Sequence, residues 1–259
     1  MNLKFVNFDL EQWAQLSGDR NPIHFNENFA ISNGLEGCIV HGMLAMLPIK
    51  KIFIEKNSKN PQLNHIRIFL KKSVPLNKEL TYIYFNNKVT LNTNGENVYL
   101  SKISNIREKY SIEFDEDFIP LSSFISSTDL EKKYNIFLKL KGNQYNDFLF
   151  WDSILFSIYI ANNKSSPLAH NVSSLLEKEN LNPKSYVVFQ VEHSLTIFNE
   201  NIENIENLSI KNIDHFSYNL LGGDLIRVDS NIYASVILYL YFKDKPVIKT
   251  EMGLLAKLS

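Results

Sequence analysis

The sequence predicts an α+β fold made of two units of related architecture, and three observations predict it. The chain has 259 residues, more than one compact core usually fills and comfortable for two domains, although one large β-rich domain is the other arrangement of that length. A long helix that is apolar on nearly every side precedes consecutive strands, the pattern of an antiparallel sheet curled around a helix. The same order of elements then recurs in the second half without a literal sequence repeat.

A short strand over Leu3 to Val6 leads into a helix over Asp9 to Leu16, with Asp9 as N-cap and Leu10, Trp13, Ala14 and Leu16 as its apolar face. Ser17 and Gly18 end that helix, and an irregular stretch follows through Gly37, broken by Asn21-Pro22 and Asn33-Gly34. The enclosed helix runs from Gly42 to about Glu55, with Pro48 a point where it can bend. The strands "HIRIFLKKSV", "ELTYIYFNNKV", "NVYLSKISNI" and "YSIEFDEDF" come next, separated by the turn signals "PLNK" and "NTNGE". Residues 1–118 make the first unit. The Ser-rich, charge-ended stretch at 119–133 reads as a linker, and 134–259 make the second unit. That unit holds a strand "NIFLKL", a buried helix Phe148 to Ala161 and a shorter helix around Val172 to Glu179. Five strands follow: "SYVVFQVEHSLTIF", "NLSIKNIDHFSYNLL", "LIRVDSNIY", "ASVILYLYF" and "VIKTEMGLLAKL", with Gly222-Gly223 as a hairpin turn.

Composition narrows the function classes. A formal charge of −1 gives no field for a nucleic acid or an anionic membrane surface, so neither is expected as a partner. The single cysteine, Cys38, cannot form an internal disulfide, which fits a reducing compartment. The first residues lack the charged start and apolar core of an export signal, and Phe148 to Ala161 is too short to span a bilayer. A cytoplasmic protein is the expectation.

Chemistry concentrates in "SGDRNPIH", Ser17 to His24, and in "CIVHGMLAM", Cys38 to Met46. A carboxylate and an imidazole held on one rigid turn can each hydrogen-bond the same water, and an apolar cleft can separate their pKa values into an acid and a base. Pro22 and Gly18 stiffen and redirect the turn so that Asp19 and His24 can face one cleft. Gly42 falls at the start of the enclosed helix, where unpaired N–H groups and the helix dipole stabilise a developing oxyanion, as on a thioester enolate. Read without relatives, Asp19 and His24 also fit an ordinary helix-terminating turn. With His41 they make three potential metal ligands, but neither a His-x-x-x-His helix pair nor a cysteine cluster accompanies them, and no metal is expected. His65, His170, His193 and His215 stand alone in the sequence and read as surface or core residues.

"LSGDRNPIHFNENFA" followed by "CIVHGML" resembles the signature of the MaoC-like, R-specific enoyl-CoA hydratases, whose fold is the hot-dog: a long helix wrapped by an antiparallel sheet. The match is nearly continuous from Leu16 to Leu44 and becomes one of pattern alone beyond it. The resemblance implies a double hot-dog, a pseudo-dimer with one working site in the N-terminal half; in the double hot-dog hydratases it is similar to, the motif generally falls in the C-terminal half. It further implies Asp19 and His24 as the catalytic pair, Gly42 as oxyanion donor, Asn21 as a support of the turn, and Val40, His41 and Met43 around the mouth of an acyl-thioester site. The implied substrate is an enoyl or (R)-3-hydroxyacyl group carried on coenzyme A or on the phosphopantetheine of an acyl-carrier protein, with no other cofactor, in fatty-acid or polyketide metabolism. A monomeric pseudo-dimer or a homodimer both fit.

Two positions depart from the resembled pattern. Asn26 stands where an Asp is usual, and Lys50 stands where a small hydroxyl residue is frequent; Lys50 is expected to be exposed or on a helix face turned from the site. A hot-dog thioesterase is the alternative enzyme, and a non-catalytic acyl-thioester or acyl-carrier-protein binding module is the alternative outside enzymes.

Overall fold

A computed structural model describes residues 1–106, 118–141, 146–162, 172, 174, 176–178, 186–202, 208–229 and 231–258. The first half runs β1 (Asn2–Leu3), α1 (Asn7–Ser17), a 3-10 turn (Pro22–His24), α2 (Glu27–Ser32), α3 (Gly42–Lys59), β2 (His65–Leu70), β3 (Leu80–Phe85), β4 (Lys88–Thr93) and β5 (Glu96–Ser104). The second runs β6 (Ile119–Pro120), α4 (Leu121–Phe124), α5 (Ser127–Phe137), α6 (Asp147–Asn162), β7 (Tyr186–Ile197), β8 (Phe216–Val228), β9 (Asn231–Phe242) and β10 (Lys245–Leu258). Among the described residues these ten strands join one antiparallel sheet in the order β1-β3-β4-β5-β2-β7-β10-β9-β8-β6.

That order is nearly its own mirror image. Each half has a two-residue outer strand, then a run of hairpin strands, then an inner strand, and the inner strands β2 and β7 pair with each other from His65–Thr196 to Phe69–Glu192. The helices α3 and α6 lie side by side within the curl of the sheet. Nearly every side chain of α6 from Phe148 to Tyr159 is buried, which explains why that helix has no polar face. Two long helices, each wrapped by half of an antiparallel sheet, make a double hot-dog.

Local chemistry accounts for the boundaries. Leu10, Trp13 and Leu16 of α1 are wholly buried, and each such side chain stabilises the packed helix by roughly 1.5–3 kcal/mol. Gly18 ends α1 in the left-handed conformation, φ 81°, its N–H donating to the Ala14 carbonyl at 2.9 Å. Asp9 is not the N-cap. Val6 is, and the Asp9 carboxylate, one turn in, accepts from the Val6 N–H at 2.8 Å.

Several strand and linker expectations are corrected. The segment read as a linker is β6, α4 and most of α5, the second half's counterpart of β1 and α1. One of its serines is a capping residue: Ser126 accepts from the Asp129 N–H at 3.1 Å, and Leu130 and Phe137 are buried. "NIFLKL" is therefore the end of α5 and a turn, not a strand. "ELTYIYFNNKV" splits into β3 and β4, because Asn86 and Asn87 both adopt positive φ, 47° and 57°, in a tight hairpin. Gly222-Gly223 sits inside β8 at a register shift, while the hairpin turn falls later, at Asp229 with φ 53°. A Cβ on Gly223 would stand 1.8 Å from Ser235 Oγ, so glycine is needed there for close strand approach. The first part of "NLSIKNIDHFSYNLL" is 3-10 helix, Ile210–His215. Almost all of "YSIEFDEDF" lies outside the described residues; of the predicted helix over 172–179, the described positions 172, 174 and 176–178 are helical. Among the described residues no helix is long and apolar enough to cross a membrane.

Candidate active site

The turn after α1 is built from its own side chains. Ser17 Oγ donates to the Trp13 carbonyl at 2.8 Å and accepts from the Asp19 N–H at 3.1 Å. Asp19 Oδ1 accepts from the Asn21 N–H at 3.1 Å, and Asn21 Oδ1 accepts from the Ile23 N–H at 3.2 Å. Two successive Asx turns with Pro22 at the head of the 3-10 turn leave the loop little conformational freedom. Asn21 thus supports the turn.

Asp19 Oδ2 and His24 Nε2 face each other at 3.8 Å, beyond a direct hydrogen bond. His24 Nδ1 lies 2.9 Å from the Ile39 carbonyl. A carbonyl only accepts, so the ring proton is on Nδ1 and Nε2 presents a lone pair. Both groups opposed across the gap are therefore acceptors, and a single water can donate one O–H to each.

His41 stacks on His24 with ring centroids 3.7 Å apart, and its Nε2 donates to the Asp19 carbonyl at 3.1 Å. It packs behind His24 instead of lining the mouth of the cleft, because that stacking and bond hold it inward. Its Nδ1 is buried without a hydrogen-bond partner. Burial pushes the His24 pKa below the ordinary histidine value against the pull of Asp19, and burial with the neighbouring His24 pushes His41 well below it. Both rings are neutral at neutral pH.

Asp19, His24 and His41 also bring one potential ligand atom each within 4.8 Å of one another. A metal needs in-plane lone pairs that converge. Two rings stacked at an interplanar angle of 27° hold theirs side by side, and the arrangement suits a water better than an ion.

The pair opens onto a cleft of about 630 Å³. Gly42, the first residue of α3, and Met43 form one wall with Val40; Leu70 and Tyr99 of the sheet form another. The second half closes it with Phe156, Tyr159 and Ile160 of α6 and with Val188, Gln190 and Leu254 of β7 and β10. A larger cleft of about 1060 Å³ also touches His24 but reaches neither Asp19 nor Gly42. Around Gly42 the space is tight: a Cβ there would stand 3.0 Å from Leu70 Cδ2 and 3.3 Å from Gln190 Oε1. The structure thus gathers Asp19, Asn21, His24, Val40, Gly42 and Met43 on one cleft. Sequence reasoning missed Tyr99, Gln190 and the α6 side chains, since nothing local marks a strand residue as facing a cleft made by the other half.

Residues 3–98 match the family model described as the MaoC-like domain, a span that contains both motif fragments and Asp19, Asn21, His24, Val40, His41, Gly42 and Met43. No curated protein matches the chain in sequence. Solved structures similar to it include a MaoC-like dehydratase, 8% identical, covering 99% of this chain and 95% of its own with a TM-score of 0.46. A MaoC domain protein dehydratase from Chloroflexus aurantiacus is 8% identical over 100% of this chain and 93% of its own, TM-score 0.48. An acyl-CoA thioesterase II from Mycobacterium marinum is 10% identical over 76% and 80%, TM-score 0.42.

Lys50, on α3, is not exposed. It is wholly buried, its ammonium 2.6 Å from Asp152 Oδ2 of α6. Asp152 Oδ1 accepts from Thr250 Oγ1 at 2.8 Å and faces His193 Nε2 at 3.3 Å. Exposure fails, and the face turned from the cleft holds, because the counter-charge comes from a helix about one hundred residues away in sequence; a lysine enters a core only when paired. Lys50, His193 and Asp152 all have pKa values below the ordinary ones, the first two chiefly from burial; for Asp152 burial acts the other way and the charges of Lys50 and His193 overcome it.

Proposed function

We propose that the chain is an (R)-specific enoyl-thioester hydratase, or in reverse a 3-hydroxyacyl-thioester dehydratase, acting on a substrate carried by coenzyme A or an acyl-carrier protein. The observation that carries this reading is the pair of acceptors, Asp19 Oδ2 and His24 Nε2, opposed at 3.8 Å in a cleft whose far wall begins a helix at Gly42. A water bridging the two is oriented for attack at C3 of the enoyl group; one of the pair takes a proton from it, and because neither group carries a proton toward the cleft, that same proton is passed on to C2, leaving the hydroxyl on C3. Asp19 and His24 act as a coupled unit in that exchange. As water adds, negative charge grows on the thioester oxygen, which the N–H at the head of α3 and the helix dipole stabilise. Apolar walls from α6 and β7 suit an acyl chain. Arg20, Lys71 and Lys72 at the rim suit the phosphates of a carrier.

Loss of enoyl absorbance in the ultraviolet, followed with crotonyl-CoA, a longer enoyl-CoA and enoyl-acyl-carrier protein, tests the proposal. Hydration by the natural chain and not by Asp19→Asn or His24→Ala is the expected result. No absorbance change with any of the three substrates would sink it in favour of thioester binding without turnover.

A further inference from the structure

We propose that Gln190, contributed by the second half, accepts a hydrogen bond from the substrate's carrier arm, from the amide N–H nearest the thioester sulfur, and that Lys50, Asp152 and His193 set the direction in which its side-chain amide points. The inference rests on the acyl-thioester reading above, but it concerns a contact that any pantetheine thioester can make, whether or not water is added to it.

The direction follows from donors and acceptors taken in turn. Lys50 can only donate, and it does so to Asp152 Oδ2 at 2.6 Å. The Asp152 carboxylate can only accept; Oδ1 takes the Thr250 hydroxyl and faces His193 Nε2 at 3.3 Å. His193 Nε2 makes no aligned hydrogen bond, but a lone pair there would face the carboxylate, so the proton is on Nε2 and the lone pair on Nδ1. Gln190 Nε2 lies 3.3 Å from that Nδ1, where the amide must donate. The other neighbours of Nε2, the Glu192 carbonyl at 3.4 Å and Met43 Sδ at 3.7 Å, are acceptors as well. All three hold the NH2 end inward, so the oxygen faces the cleft at the first turn of α3, 3.3 Å from where a Cβ on Gly42 would stand. Among the described residues that oxygen receives no hydrogen bond.

A thioester whose carbonyl oxygen rests at the head of α3 sends its acyl chain toward Asp19 and His24 and its carrier arm the other way. Two methylenes beyond sulfur comes an amide N–H, roughly 5 Å from the carbonyl oxygen by ordinary bond lengths. Leu70, Phe156 and Val188 nearby are apolar and leave such a donor unsatisfied, and the Tyr99 hydroxyl, 3.9 Å from the same point on Gly42, stands farther off than Gln190 Oε1. Gln190 Oε1 satisfies it.

Two minimal ligands isolate the contact: the butyryl thioester of N-acetylcysteamine and that of 2-mercaptoethyl acetate, in which an ester oxygen replaces the N–H. Both are saturated and cannot be hydrated, so titration followed by NMR reads binding alone. The natural chain is expected to prefer the amide about fivefold to tenfold. Gln190→Met abolishes the preference and Gln190→Glu, which keeps an acceptor, retains it. His193→Leu shrinks the ratio toward one with little change in affinity for the ester, a pattern that loosened packing alone does not give. An unchanged preference in Gln190→Met, equal binding of both ligands by the natural chain, or binding of neither overturns the assignment. Hydration of the corresponding crotonyl thioesters is measured alongside. Its absence with the preference intact would remove the hydratase reading and leave Gln190 in place.

Discussion

Two Asp–His pairs stand out among the described residues, and they differ in almost everything except composition. Asp19 and His24 lie 3.8 Å apart on a stiff loop at the edge of a cleft; Asp152 and His193 lie 3.3 Å apart deep in the core. The Asp152 carboxylate spends its oxygens on Lys50 and Thr250 and faces His193. Asp19 uses one oxygen on its own turn and keeps the other facing His24 across a gap a water can fill. A carboxylate and an imidazole become a candidate acid–base pair when one face of each is left open; when a lysine neutralises the acid in a dry core, the same residues become structure.

The comparison can be broken most severely at the open pair. Asp19→Asn or His24→Ala is expected to lower kcat/KM for enoyl-thioester hydration by about 10²–10⁴-fold, with thermal unfolding of the isosteric Asp19→Asn close to that of the natural chain; absorbance kinetics and calorimetry measure the two sides. At the closed pair the result inverts in kind. Lys50→Met leaves the Asp152 charge buried without its cation and is expected to cost about 3–5 kcal/mol, read as a shift in denaturant midpoint at constant slope. The double substitution Lys50→Met with Asp152→Leu should recover part of that loss, since an unpaired charge no longer remains.

Acid sharpens the contrast. His24, His41 and His193 all have folded pKa values below the ordinary 6.5, so just below 6.5 the unfolded chain binds protons that the folded chain does not. Stability is therefore expected to be fully present above about pH 6.5 and to fall as pH drops through the folded values, with a slope of up to about 1.4 kcal/mol per pH unit for each histidine. Denaturation series between neutral pH and about 5 check the sign. The acid limb of kcat/KM should likewise lie below 6.5, because the neutral His24 base persists there. The smallest effect is expected at Gly42. Gly42→Ala should raise KM while shifting stability by only about 1 kcal/mol, as its Cβ meets the movable ends of Leu70 and Gln190.

The open pair was legible because its information is local. Asp19, Asn21, Pro22 and His24 close the turn through bonds spanning two or three residues, and Gly18 marks the preceding helix end, so spacing alone carries the geometry. The closed pair was not legible. Lys50, Asp152, His193 and Thr250 lie on four elements, and periodicity along any one gives no hint of the others. The serines of 119–133 misled for a related reason: Ser126 caps a helix whose apolar face, Leu130 and Phe137, acquires meaning only against α1 and the rest of the core.

By itself the sequence determined the α+β class, the two enclosed helices, the turn that presents Asp19 and His24, and the glycine that heads α3, all set by bonds and periodicities within about one turn or hairpin. Only the tertiary structure decided that the sheet is continuous through β2 and β7, that Lys50 is a core residue, and that Gln190 from the second half reaches the head of a helix in the first. Those facts depend on which surfaces meet when two units bury a shared core, and that pairing is a property of the whole chain.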